Sequence, residues 1–345
     1  MNKASIQLGV LTVLSLLGFL MLSLWVLTPN PLESARLLFV GAFGSELGLT
    51  RTLVKWIPLV LTGLGIVIAW RGGMYNIGGE GQFVVGGVSG ALIAIPMLQS
   101  TLPWPVSAAI ILTGSFLAGG LWGWLAGWLF VRRGVEVVIS TILMNFVAIQ
   151  LMEYLVSGPM RERSGKLPQT DRLPNNLALP KFNPAFDLHY GIFIGALAIV
   201  AVYAFLFYTR KGFEIRVAGE NARAARANKI DAQAARLRAI SLSGGLCGLA
   251  GGVEYLGLTQ QIGQGFDQNW GFLAIPVALL AGLHPLVVAV SALYFAAILG
   301  GSKNLAGFTA NGTVLIYVVQ AAGVLGLIAI QNFLSRGKRV SSANV

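Results

Sequence analysis

With 345 residues, of which 55% are hydrophobic and 11% charged, and a mean hydropathy of +0.74, the chain is far from an ordinary soluble domain, where about a quarter of residues are charged. Its net charge of +11 could suit nucleic acid, but most basic residues lie in loops between apolar runs and read as determinants of membrane topology. One cysteine, Cys247, and two histidines, His189 and His284, exclude a disulfide framework and are too few for a convincing metal cluster.

A membrane span needs about 20 apolar residues. Such runs occur at roughly 6–28, 52–70, 83–99, 106–131, 136–157, 190–209, 239–257, 285–301 and 312–334, with a shorter one at 272–282 that contains Pro276. The fold expected is all-α: a polytopic transmembrane helical bundle of about ten spans, in a single domain covering 1–345. The first run follows Lys3 and exceeds a signal-peptide core of about 7–15 residues. Thr28-Pro29-Asn30-Pro31 follows it instead of a small-residue cleavage site, so it reads as an uncleaved helix leading to an external loop up to about residue 50. Arg132-Arg133, Arg210-Lys211 and the group Arg336, Lys338 and Arg339 end the fourth, sixth and last runs. Ten spans put all of these and Lys3 on one side, the cytoplasm, so both termini and the tail 335–345 are expected there.

The apolar pattern breaks at Arg71–Gln82, where glycines alternate with Tyr75, Asn76, Glu80 and Gln82. In hydrocarbon, non-helical backbone persists only where protein buries it or where it lines a watery cavity. Asn76, Glu80 and Gln82 therefore mark either the wall of a transport pathway or a tight glycine turn, in which Glu80 would pair with Arg71. In the fourth run Gly119, Gly123 and Gly127 recur every four residues, a stripe that permits close helix packing. Trp122, Trp124 and Trp128 beside it read as anchors or packing residues. Asn145, in mid-span, either joins helices or faces the pathway. The loop 158–188 is hydrophilic and proline-rich: a solvated connection, or a cover over the pathway mouth.

Residues 210–238 are the most polar continuous segment. Alanines after Gly219 predict a helix, with Glu220 and Asn221 suited to its start. Its surface suits either anionic lipid or a groove on a cytoplasmic partner. A second glycine-dense stretch, Gly248–Gly252 and then Gln260–Gly271, predicts a further broken helix at about 258–271. The short run at 272–282 reads as a half-helix, or as one starting earlier, near Gly263. Two interrupted segments hint at an internal repeat with a binding site between them. The chain has no phosphate loop ending in Lys-Ser or Lys-Thr, no Ser/His/Asp set and no paired-histidine zinc motif. No catalytic residue, cofactor or metal is expected.

Gly72-Gly73-Met74-Tyr75-Asn76-Ile77-Gly78-Gly79-Glu80-Gly81-Gln82 resembles the signature of permease subunits of ABC importers in the branched-chain amino acid, ribose and nucleoside group. The Asn-Ile-Gly-x-Glu-Gly-Gln form looks most like the nucleoside branch. Ser140–Ala148, Gly212–Ile230 and Gly271–Gly282 are similar to further motifs of that branch. The likeness covers about 50–335, with two departures: Pro276 stands where a small residue is usual, and Asn228-Lys229 replaces a small residue and glycine.

The resemblance implies a bacterial plasma-membrane subunit that hydrolyses nothing itself. It implies two cytoplasmic ATPase subunits, a second permease chain, an extracytoplasmic substrate-binding protein, membrane lipid around the bundle and a small-molecule solute such as a nucleoside. Arg216, Gly219, Glu220, Asn221, Ala224 and Ala225 would couple to the ATPase, and Tyr75, Asn76, Glu80, Gln82 and Asn145 would line the pathway. A stand-alone secondary transporter or channel, a membrane scaffold, and a sugar or branched-chain amino acid substrate remain alternatives.

Overall fold

The computed structural model describes residues 30–98 and 102–306, with residues 18, 20–22, 24–26 and 28 before them. The predicted run at 312–334, the tail 335–345 and most of the run at 6–28 lie outside the described residues. The described elements are helices: α1 Pro31–Phe43, α2 Glu46–Arg71, α3 Gly79–Ala94, α4 Trp104–Arg133, α5 Val137–Ser157, α6 Gly191–Tyr208, α7 Arg210–Glu220, α8 Ala222–Ala227, α9 Ala232–Glu254, α10 Trp270–Leu280 and α11 Pro285–Ala306. A short 3₁₀ turn extends α3, and a π-helical turn, Tyr255–Thr259, extends α9. Strand-like pairing among the described residues is confined to isolated bridges, Gln169 with Gly263 and Lys181 with His189.

Seven helices among the described residues are long and apolar enough to cross a membrane: α2, α3 with its extension, α4, α5, α6, α9 with its extension, and α11 up to Ser302. At 11 residues, α10 spans only about 16 Å and cannot cross alone. It begins at Trp270, so the reading that started this run near Gly263 is not met; residues 260–269 form no helix. The outer faces carry large apolar side chains at helical spacing, among them Ile139, Leu143 and Phe146 on α5 and Phe193, Leu197 and Val200 on α6. In water such continuous faces would drive association. Such faces suit the interior of a membrane rather than water, and the chain is a multi-pass membrane protein.

Two compact units form. In the first, residues 1–52 with 293–345, Leu24, Leu38 and Ile298 pack together, and Thr52 Oγ1 donates to Ala42 O at 3.1 Å. In the second, residues 53–292, α9 makes its most extensive contacts with α4 and α3. Lipid tails are as apolar as leucine, so helices here associate by close packing and hydrogen bonds. The predicted α4 stripe does this: a Cβ on Gly119 would stand 2.7 Å from Gly248 Cα, and one on Gly123 2.7 Å from Ile240 O. On the other side of α9, Gly86 meets Gly248, and Gly251 meets Phe83 O. Backbone lies on backbone along this seam.

The segment 210–238 departs from the single helix expected over about 219–230. Thr209 Oγ1 accepts from Gly212 N at 3.0 Å and starts α7, an eleven-residue helix ahead of the one predicted after Gly219. Asn221 leaves helical backbone at φ −154° and accepts N–H bonds from Arg223 at 2.9 Å and Ala224 at 3.1 Å, capping α8. Asp231 accepts from Gln233 and Ala234, both at 3.0 Å, so α9 begins at Ala232 rather than near 239. Between these caps Lys229 takes a left-handed backbone, φ +57°. Pro276 lies inside α10.

Candidate functional site

The first break starts with a helix stop. Gly73 has φ +71°, its N–H reaches Trp70 O at 3.0 Å, and the Met74 N–H reaches Ala69 O at 2.9 Å. This is a Schellman cap, which a residue with a Cβ adopts only with strain. The stop frees residues 74–78 from the helix ladder, and their polar groups need other partners.

Asn76 supplies most of them. Its Nδ2 donates to Gln82 Oε1 and to Ser243 Oγ, both at 2.9 Å, and its Oδ1 accepts from Gly78 N at 2.8 Å and Gln82 Nε2 at 3.3 Å. Asn145 on α5 accepts from Gly81 N at 2.8 Å and donates to Ile77 O at 3.0 Å, while Thr141 Oγ1 accepts from Ile77 N at 3.3 Å. Side chains from α3, α5 and α9 thus close the ladder that the break leaves open. Ser243 and Thr141 were absent from the sequence-derived set; small hydroxyl residues at helical positions are common, and nothing in their spacing singled them out.

Glu80 joins the two breaks. Its Oε1 accepts from Asn269 N at 3.0 Å and its Oε2 from Gly271 N at 2.6 Å, at the start of α10. A carboxylate at a helix N-terminus takes up unpaired N–H groups and opposes the helix dipole. Gly271 lies so close to Gly79 and Glu80 N that a Cβ there would collide with backbone. The pairing of Glu80 with Arg71 does not form. Arg71 Nε donates to Leu283 O at 2.6 Å, and its guanidinium lies over Phe207, 5.4 Å from the ring centre.

Asn76, Glu80, Gln82 and Asn145 are therefore brought together, each at most 1% exposed. Tyr75 points away from them, 57% exposed, with Trp70 edge-on at 5.3 Å. The residues expected to meet an ATPase divide in the same way. Glu220, Asn221 and Ala224 are exposed, Arg216 and Gly219 half-buried, and Ala225 buried. Arg216 Nε donates to Leu206 O at 3.0 Å and lies over Phe207, which ties α7 to α6. Gly219 touches the first break directly: its Cβ would overlap Arg71 O. Glu214 holds α7 to α9, with Arg238 at 2.8 Å, Lys211 at 3.2 Å and Arg210 at 3.3 Å. Burial opposes its charge, but Lys211 and Arg238 outweigh burial and hold the carboxyl below its usual pKa.

The loop 158–190 is sewn to the second break. Thr170 N donates to Ile262 O at 2.8 Å, Leu173 N to Gln260 O at 2.7 Å and Leu179 N to Leu256 O at 3.0 Å. His189 is buried beneath it, with Nδ1 accepting from Gly191 N at 3.1 Å. Burial, helped by the charge of Lys181, depresses its pKa to about 4. Among the described residues no three His, Cys, Asp or Glu side chains converge to hold a metal.

The family model described as "Branched-chain amino acid transport system / permease component" matches residues 48–327, which include both breaks and the segment 210–238. A glucose ABC transporter permease of Haloferax volcanii is 31% identical over 94% of this chain and 87% of its own length. A guanosine ABC transporter permease of Bacillus subtilis is 32% identical over 77% and 75%, and a nucleoside ABC transporter permease of Lactococcus lactis 26% over 96% and 93%. No solved structure matches the chain. With the family model covering most of its length, the chain belongs to the branched-chain amino acid transport system permease component family.

Proposed function

We propose that this permease subunit imports a nucleoside or a related hydroxyl-rich solute, delivered by an extracytoplasmic binding protein and driven by separate cytoplasmic ATPase subunits. The observation that carries the solute class is the likeness, over most of the chain, to permeases named for glucose, guanosine and nucleosides. Those solutes are uncharged and rich in hydroxyl groups, unlike a zwitterionic amino acid. A second permease chain would complete the pathway, and ten spans would put both termini in the cytoplasm of a bacterial cell.

In this reading the exposed Tyr75 faces the solute and offers a ring for stacking. Asn76, Glu80, Gln82 and Asn145 set the shape of the wall from behind it. Glu220, Asn221 and Ala224 form the ATPase-facing surface. Gly219, seated on Arg71, passes its movement to the first break. ATP-driven closure of the ATPase pair would then rock the two breaks together.

The test is purification of the tagged chain in mild detergent, followed by ATP hydrolysis assays with guanosine, glucose or leucine, each with its binding protein. Co-purification of a P-loop ATPase and a second permease, with hydrolysis stimulated by guanosine or glucose, is expected. Stimulation by leucine alone would overturn the solute class. A chain that purifies alone and carries solute into liposomes without ATP would overturn the importer reading.

A further inference from the structure

A cavity of about 710 Å³ opens where α7, the turn after α8 and the start of α9 meet. Its charged lining is Arg210, Lys211, Lys229, Arg238, Glu214 and Asp231. Four basic and two acidic side chains leave a net charge of +2. The acidic groups are also committed inward: Glu214 is shared by Arg210, Lys211 and Arg238, and Asp231 caps α9. Arg210 remains 90% exposed in spite of its contact, and Lys229 makes no ion pair among the described residues. The cavity thus has a surplus of donors and positive charge.

Its position narrows the ligand. Phe213 on its wall is 51% exposed, and Tyr208, which ends α6 two residues before Arg210, is 77% exposed. From Tyr208 an exposed stripe runs along α6 through Ala204 and Ala201 to Leu197, at spacings of three and four residues. That is one helix face, apolar and exposed on a span. Exposed aromatic rings beside a basic cluster at the end of a span mark the level where headgroups meet acyl chains. A ligand fitting both parts has an anionic head and apolar tails.

We propose that the cavity formed by Arg210, Lys211, Lys229 and Arg238 binds the phosphate of an anionic phospholipid, whose acyl chains lie along the exposed stripe of α6. Arginine donates to phosphate oxygens in a fixed fork, and lysine adds a mobile charge. The chain's place in a membrane is all the proposal requires; it does not depend on which solute is carried or which ATPase binds.

The experiment places the full-length chain, with whatever subunits co-purify, in nanodiscs of mixed phosphatidylglycerol and phosphatidylcholine. Lipid retained after transfer to detergent is then counted by native mass spectrometry. The comparison is with the double variant Lys229→Gly, Arg210→Gln. Glycine suits the backbone of residue 229, and unchanged circular dichroism and unfolding midpoint verify the fold. The wild type is expected to retain phosphatidylglycerol, and the variant to retain roughly tenfold less, with phosphatidylcholine unaffected. Equal retention of the two lipids, or undiminished phosphatidylglycerol on the variant, overturns the proposal. Displacement of the lipid by millimolar inorganic phosphate makes this a free-phosphate site and overturns the lipid. Loss of the ATPase from the variant with lipid retention unchanged makes it a protein interface and overturns it too. A chain that purifies without any ATPase and carries solute into liposomes without ATP, yet retains phosphatidylglycerol, refutes the importer reading and leaves the lipid site standing.

Discussion

Asn76 uses both hydrogens and both lone pairs of its amide within the break. Asn76→Ala strands the amide of Gln82, Ser243 Oγ and Gly78 N. At about 1–3 kcal/mol for each unsatisfied buried group, a loss of at least about 3 kcal/mol is expected, read as a lower unfolding midpoint. Tyr75→Ala is expected to leave that midpoint unchanged and to alter solute-stimulated ATP hydrolysis; a large midpoint drop would show Tyr75 to be structural. His189 makes a pH prediction. Its folded pKa of about 4 lies below the ordinary 6.5, so the unfolded chain binds the extra proton between those values. Its contribution is whole above about pH 6.5 and is lost progressively as pH falls toward 4, by about 3 kcal/mol in all. The midpoint should therefore fall more steeply with acid in the wild type than in His189→Phe. At this scale the sequence pointed to Asn76, Glu80, Gln82 and Asn145 because mid-membrane polar groups are costly. It could not say that Glu80 holds Asn269 N and Gly271 N, since backbone donors have no letter of their own.

Helix boundaries in the segment 210–238 were only partly legible. Asn221 as a helix start follows from its side-chain chemistry, whereas the alanine run suggested a longer helix than forms. Competing caps decided the outcome: Asp231 starts α9 seven residues before the apolar run, and Lys229 breaks the chain between α8 and α9. A lysine in left-handed backbone costs about 1 kcal/mol relative to glycine. Lys229→Gly alone is thus expected to leave the unfolding midpoint unchanged or slightly raised. A marked fall would mean that the charge itself supports the fold. The α4 stripe was legible from its four-residue spacing, but its partner surface was not, because glycine-rich α9 offered no face preference. Gly248 is pressed by α3 on one side and α4 on the other. Gly248→Ala is expected to cost roughly 1–3 kcal/mol, with a fall in folded yield, because neither backbone can withdraw without opening the other contact.

Hydropathy made the membrane class and most spans plain, and the motifs at 72–82 and 212–230 carried the family. That the two glycine-rich breaks meet was not legible: they lie about 190 residues apart, and the contact is one carboxylate on two amides. This contact has a consequence for how the chain is made. At about 5–20 residues per second, roughly 10–40 s pass between synthesis of Glu80 and of Asn269. Throughout that interval the first break is in or near the bilayer while its carboxylate lacks its native partner. Water, a lipid headgroup or an insertion factor must serve in its place. Ribosome-bound chains halted shortly after residue 260 should therefore be cut by protease within 71–82, and chains released at full length should resist. Equal resistance in both would mean that the first break closes without α10, and that Glu80 serves the mature transporter alone.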